Sequence, residues 1–395
     1  MNKRVFAASL VVLGLLAVGS DRYLRWSSRP LPRPMRFVLI VVDSLRADHL
    51  GCYGHTGNLT PNMDALAERS LRFDNAIAAG PSTLISNRAL LTGLHPDRVI
   101  DRENEGLRAS AVSLAERFAA SGYQTAAFST HPHITNRFGF AQGFQSFVFR
   151  GGDDDAITNM AGKWLASHRR DRFFALVYLL DPHAPYAPQR ISSRTRRIAA
   201  SHRADIAALT QIRPGLLSPA ESGTLTAGEV AVLHSLYEDE IREADARVGQ
   251  LLAALDDRTV VVVLADHGEA WREHGTLGHS HDLNTETVHI PLILGTSGVA
   301  PGIVSRIVGT ADVAPTLLAL AGIEAPGLDG CSLLHQPSVT RHVTSTFARG
   351  EVTYGIIGDS ITALHRETTA AAKPARPALD RETAEALSAI GYVAH

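Results

Sequence analysis

Cysteine is nearly absent from this chain: Cys52 and Cys331 are the only two in 395 residues. That excludes a disulfide framework and a thiolate metal site. A single bridge between the two is conceivable, but the sequence offers no geometric support for it. An excess of one charge sign is also lacking. The net charge of −2, from 38 Lys and Arg against 40 Asp and Glu, provides no overall basic field for nucleic acid or an anionic membrane. Internal repeats are missing, and the one long apolar run falls short of the roughly 20 residues of a membrane span. What remains is 45% hydrophobic and 20% charged, an ordinary globular composition able to bury a core, in one large α/β domain or in two domains.

The apolar run stands at the N-terminus. Asn2, Lys3 and Arg4 precede VFAASLVVLGLLAVG, free of charge from Val5 to Gly19. A positive n-region, an apolar h-region and small residues Ala17 and Gly19 before Ser20 describe a cleavable signal. Residues 1–29 therefore read as a signal peptide or as an N-terminal membrane anchor with Tyr23 and Trp26 at the interface. Both readings make the protein exported, either periplasmic or extracellular, or anchored in the membrane by that helix. Residues 30–35, with Pro30, Pro32 and Pro34, form a stiff linker.

Beyond the linker, continuous apolar runs alternate with helical patterns. FVLIVVD (37–43), Gln124 to Phe128, FFALVYLL (173–180) and TVVVVLAD (259–266) have strand character. Helical spacing runs from Asn62 to Arg69, Ser110 to Ala120, Ile157 to Ser167 and Glu229 to Leu255. Apolar strands alternating with helices predict an α/β fold with a large, mostly parallel central sheet flanked by helices. In such sheets functional groups gather at the carboxyl ends of the strands. The Ala/Pro-rich stretch 369–382 reads as a surface loop before a last short helix.

Three constellations carry chemistry. Asp43 ends one strand and Asp266 another, the latter followed by His267, Gly268 and Glu269. Two carboxylates at one sheet edge repel unless a cation lies between them, and His267 adds a nitrogen ligand. Asp43 alone would read as a cap; the Asp266–Glu269 cluster moves the reading to a metal. LLDPHAPY (179–186) places Asp181, His183 and Tyr186 in a proline-stiffened turn, where His183 can donate to an anion or protonate a leaving group. EHGTLGHSH (273–281) sets His274, His279 and His281 among glycines, which let imidazoles and backbone approach a substrate. Its spacing fits no standard zinc pattern.

The segments FVLIVVDSLRADHLGCYG, TPNMDALAERSLRFDNAIA, STLISNRALLTGLHP, LLDPHAPY, LADHGEAWREHGTLGH and ADVAPTLLALAGI resemble, in order, the signatures of the sulfatases of the alkaline-phosphatase superfamily. The resemblance implies an alkaline-phosphatase-like catalytic domain over 36–335 and a short C-terminal subdomain or tail over 336–395. It also implies one divalent metal (Ca, Mg, Mn or Zn) held by Asp43, Asp266 and His267, with Ser44 replacing the second acid of the usual pair. His183 matches the histidine that contacts the transferred group or the leaving oxygen. His279 stands where many sulfatases place a lysine against the sulfate.

The family's nucleophile motif is Cys or Ser, any residue, Pro, Ser, Arg, with the first residue oxidised to formylglycine. An ungapped match on Ser86 and LLTG puts Thr83 at the nucleophile position and Asn87 at the arginine. No formylglycine is expected from threonine. A hydroxyl beside a divalent cation can instead attack as an alkoxide, making Thr83 both nucleophile and metal ligand. The superfamily's nucleotide phosphodiesterases and phospho-headgroup transferases resemble that arrangement. Arg88 is one residue late, rotated by about 100° on a helix; with His274 it is a candidate substrate contact. The expectation is a metal-dependent hydrolase of a small-molecule or glycan sulfate or phosphate ester, with His183 and His279 also catalytic and no nucleic-acid partner. The alternatives are a phospho-headgroup transferase and a degenerate sulfatase-fold protein that binds an anionic glycan.

Overall fold

The computed structural model describes residues 36–212, 223–335, 343–347, 350–357, 360–368 and 385. The signal or anchor, the linker and the 369–382 loop lie outside the described residues.

Among the described residues, eleven strands precede the C-terminal part: β1 (Arg36–Val42), β2 (Leu71–Ile77), β3 (Gln124–Ser129), β4 (Ser146–Phe149), β5 (Phe173–Leu179), β6 (Thr259–Ala265), β7 (Ala270–Trp271), β8 (Leu277–Gly278), β9 (His289–Ile290), β10 (Leu292–Gly295) and β11 (Gly302–Gly309). All but β7 and β8 join one nine-stranded sheet of order β11-β2-β10-β6-β1-β5-β3-β4, with β9 beside β2. Neighbours pair in parallel except where β10 and β9 run against β2 and where β10 runs against β6. β1, β5 and β6 are buried along their whole length, as continuous apolar strands covered on both faces must be. This is the α/β architecture that the sequence predicts.

The helices follow their local signals. The long helix Ala227–Ala253 opens on a capping box between Thr226 and Glu229. The predicted helix from Ser110 begins only at Leu114. Ser113 caps it, taking a bond from Glu116 N at 3.0 Å and donating its own N–H to Glu116 at 2.7 Å. β2, β4, β9, β10 and β11 have no counterpart among the sequence expectations. β2 (LRFDNAI) interrupts its apolar residues with charge, and β10 has only four residues, so neither shows a continuous run. Cys52 and Cys331 are both free. Among the described residues no helix is long and apolar enough to cross a membrane.

The C-terminal part forms a three-stranded sheet, β12 (Val343–Phe347), β13 (Gly350–Ile357) and β14 (Ser360–Thr368). Thr346 N donates to Ala79 O at 2.8 Å, and a Cβ on Gly80 would come 2.6 Å from Thr346 O. This small sheet therefore presses directly on the turn that leads into the helix Thr83–Leu90.

Candidate active site

Register brings the acids together. Val42 of β1 pairs with Leu179 of β5 and with Ala265 of β6, so Asp43, Leu180 and Asp266 leave the sheet side by side. Asp43 and Asp266 are fully buried. Between them stands Tyr178, whose hydroxyl lies 2.6 Å from Asp266 Oδ2 and 3.2 Å from Asp43 Oδ2. Ser44 Oγ donates to Asp43 Oδ1 at 2.9 Å, and His267 N donates to Asp266 Oδ1 at 2.9 Å. Ser44, in place of a second acid, adopts a left-handed φ of 55° and turns its N–H to Asp266 Oδ1 at 3.4 Å. Burial first, and the Asp266 charge second, hold the Asp43 carboxyl well above the usual carboxylate range.

Thr83 is the first residue of its helix and fully buried. Its Oγ1 is 3.5 Å from His267 Nε2 and 3.5 Å from His131 Nε2. The two imidazoles have opposite tautomers. His267 Nδ1 lies 3.0 Å from Gly268 O, which assigns the proton there and leaves a lone pair on Nε2. That Nε2 is 3.5 Å from Asp43 Oδ1 and 3.6 Å from Asp266 Oδ2. His131 Nδ1 instead accepts from His133 N at 3.0 Å, so its Nε2 carries the proton and points at Asp43 Oδ2, 3.4 Å away. Asp43, Asp266 and His267 each offer one donor atom within 4.8 Å of the others. Two buried carboxylates and a lone-pair imidazole fit a divalent metal.

Further imidazoles close the ring around Thr83. His279 lies 4.3 Å from His267 and 4.9 Å from His183, centroid to centroid, and His183 lies 5.7 Å from His131. His183 Nδ1 is held by Ala184 O at 2.6 Å. His279 Nδ1 lies 3.1 Å from Glu269 Oε1, whose Oε2 takes the Tyr186 hydroxyl at 2.8 Å. Burial, reinforced by the neighbouring imidazoles, lowers the proton affinity of all three. His131 and His279 fall well below the ordinary imidazole range, and His183 falls to about 3. The site is thus lined by neutral histidines that offer directed N–H groups and lone pairs.

The sulfatase family model matches residues 36–323. The chain belongs to the sulfatase family. Human arylsulfatase A is 29% identical over 343 residues, covering 76% of this chain and 67% of that protein. Mouse steryl-sulfatase is 28% identical over 412 residues, covering 77% and 65%. The chain thus spans about two thirds of the length of these relatives. Among solved structures, the phosphonate monoester hydrolase of Agrobacterium radiobacter superposes with a TM-score of 0.66 at 19% identity, over 84% of this chain and 89% of that one. A 2-O GAG sulfatase superposes with a TM-score of 0.64 at 19% identity, over 83% and 85%. These two likenesses concern the fold alone.

Within this sulfatase the opening of the helix departs from the family motif. Asn87, at the arginine position, sends Nδ2 to Thr83 O at 2.9 Å and to Asp266 Oδ2 at 3.4 Å. Ser86 Oγ donates to Asp266 O at 2.5 Å. Arg88 turns the other way, to the carbonyl of Glu105, and burial brings its guanidinium down to about 10. No hydrogen bond or ion pair among the described residues links Arg88, expected as a substrate contact, to Thr83, Asp43 or Asp266. His274 is exposed and pairs with Glu286 at 2.6 Å. Asp181 pairs with Arg247 at 2.6 Å.

Two members of the site escape sequence reasoning. His131 belongs to Ser129-Thr-His-Pro-His133 just past β3, and its position past a strand was the available signal. Tyr178 is hidden inside the apolar run of β5. Only the register with β1 shows that its hydroxyl reaches both acids.

Proposed function

We propose that this chain is a metal-dependent hydrolase of sulfatase type that cleaves a sulfate or phosphate ester through a covalent intermediate on Thr83. The observation that carries the reading is the placement of Thr83 Oγ1. It is buried, 3.5 Å from each of two imidazoles of opposite tautomer, beside a paired-carboxylate cluster. Asp43, Asp266 and His267 would hold the ion, which supplies positive charge against the acids and lowers the pKa of a neighbouring hydroxyl.

The remaining chemistry belongs to the chain. Thr83 Oγ forms the bond to sulfur or phosphorus while the ester oxygen leaves in line. The first N–H groups of the helix Thr83–Leu90 would face the non-bridging oxygens. His183 is neutral on its own, but an arriving anion raises its proton affinity. It can then take the proton released from Thr83 and pass it to the leaving oxygen. Water attacks the enzyme ester and restores the hydroxyl. A threonine ester has no route back through an aldehyde, unlike formylglycine, so this chemistry favours phosphoryl over sulfuryl transfer. An exported location rests on residues 1–29.

The test uses aryl sulfate, aryl phosphate and a bis-aryl phosphodiester with Mg²⁺, Mn²⁺, Ca²⁺ or Zn²⁺. Thr83→Ala is expected to lower kcat by at least roughly 10³-fold, and quenching during turnover should leave one sulfo or phospho group on Thr83 by mass spectrometry. Unchanged turnover in Thr83→Ala would sink the nucleophile assignment.

A further inference from the structure

A second set of ligand atoms lies outside the Thr83 site, on elements the proposed chemistry does not use. The turns after β1 carry His49 and His55, and the helix Ala227–Ala253 carries His234 and Glu238 one turn apart on the same face. His49 Nε2 and His234 Nε2 approach to 3.0 Å. His234 Nδ1 and His55 Nε2 each lie 3.9 Å from Glu238 Oε1. One donor atom from each of His49, His234 and Glu238 falls within 4.8 Å of the other two.

The surroundings orient these atoms. Asp48 Oδ1 lies 2.8 Å from His49 Nδ1. This assigns the proton to Nδ1 and leaves a lone pair on Nε2, in the carboxylate–histidine arrangement common behind metal-bound imidazoles. His55 stacks on the His49 ring at 5.6 Å and 13°. Arg194 pairs with Glu238 Oε2 and so turns Oε1 towards the imidazoles. Glu238 is only 3% exposed and His49 only 5%, whereas His234 reaches the surface. Tetrahedral zinc with nitrogens at 2.0–2.1 Å sets them about 3.3 Å apart, close to the separation already present. An ion can therefore replace the proton shared by the two rings, with the Glu238 carboxylate, whose ligand atom lies within 4.8 Å of those of both imidazoles, closing on it to complete the set.

We propose that His49, His234 and Glu238 bind a zinc-class ion, with the fourth position open to water. The two imidazoles and single carboxylate suit zinc better than Ca²⁺ or Mg²⁺. The ion ties the segment following Asp43 to the long helix. Tyr237 of that helix already donates to Ser44 O at 2.8 Å and accepts from Arg46 N at 3.1 Å.

The experiment is equilibrium dialysis of full-length protein against Zn²⁺, with Asp43→Asn and Asp266→Asn introduced together to remove the strand-end ligands. One zinc ion per chain is expected. His234→Gln in that background should lose it, and Asp48→Asn should weaken it by roughly 10–100-fold. A folded double variant that retains no zinc overturns the proposal, as does zinc binding that His234→Gln leaves unchanged. Should the double variant not fold, wild type and His234→Gln are compared directly. A difference of one zinc equivalent is then the expected result, and equal stoichiometry overturns the proposal.

Discussion

Tyr178 shows how much of this site depends on one atom. Its hydroxyl lies within hydrogen-bond reach of both Asp43 and Asp266, whereas Asn87 reaches Asp266 alone. Burial and the two acids push the phenol well above its ordinary range, so it remains a donor. A group that orients metal-binding carboxylates commonly accounts for 10–100-fold in affinity. Tyr178→Phe is therefore expected to weaken binding of the divalent ion by roughly tenfold while the fold persists, read by calorimetric titration alongside circular dichroism. Unchanged affinity would mean that the hydroxyl does not position the acids. At the same scale, Asn87 stands at the family's arginine position and Arg88 does not take over that place. The short amide faces the site, and the guanidinium is spent on the Glu105 carbonyl.

At the scale of elements, the site exists because three parallel strands end in register and a helix begins opposite them. The turn after β6 has little room. Gly268 donates its N–H to Thr287 O at 2.9 Å, and a Cβ there would stand 2.1 Å from the carbonyl oxygen of Glu286. Backbone cannot rotate away as a flexible side chain can, so Gly268→Ala must displace the turn that carries His267. An overpacking cost of about 1–3 kcal/mol is expected, measured as a lower urea midpoint with an unchanged m value. A neutral effect would show that the turn yields freely. The strands ending in Asp43 and Asp266 were legible because continuous apolar runs cannot be anything but buried. β2 and β10 were not, because their pairing comes from neighbours rather than from their own pattern. His131 was missed for a similar reason: β3 delivers it to Thr83 only after the sheet has formed.

For the whole molecule, a proton and the proposed metal ion would compete at one place. Asp43 has its proton affinity raised by burial and by Asp266, so its protonated form persists to higher pH than in an exposed aspartate. The proposed metal ion would require the carboxylate. Acidification should therefore weaken binding, by up to about tenfold per pH unit for one competing proton, beginning well above the usual aspartate range. Metal affinity measured between pH 8 and pH 5 checks this, and a flat profile would contradict it.

The sequence by itself determined the α/β class, the two acids at strand ends, the histidine beside the second acid and the family. The first three follow from local order, since apolar runs must be buried and the residue that ends a strand stands at the sheet edge; the family follows from the resemblance of the successive motifs. Tertiary structure alone decided which atoms meet. It placed His131 and Tyr178 in the ring, turned Arg88 out, left His274 at the surface and set His49 against His234 across 185 positions of chain. Contacts of that kind depend on register and on the packing of distant elements, which no local spacing encodes.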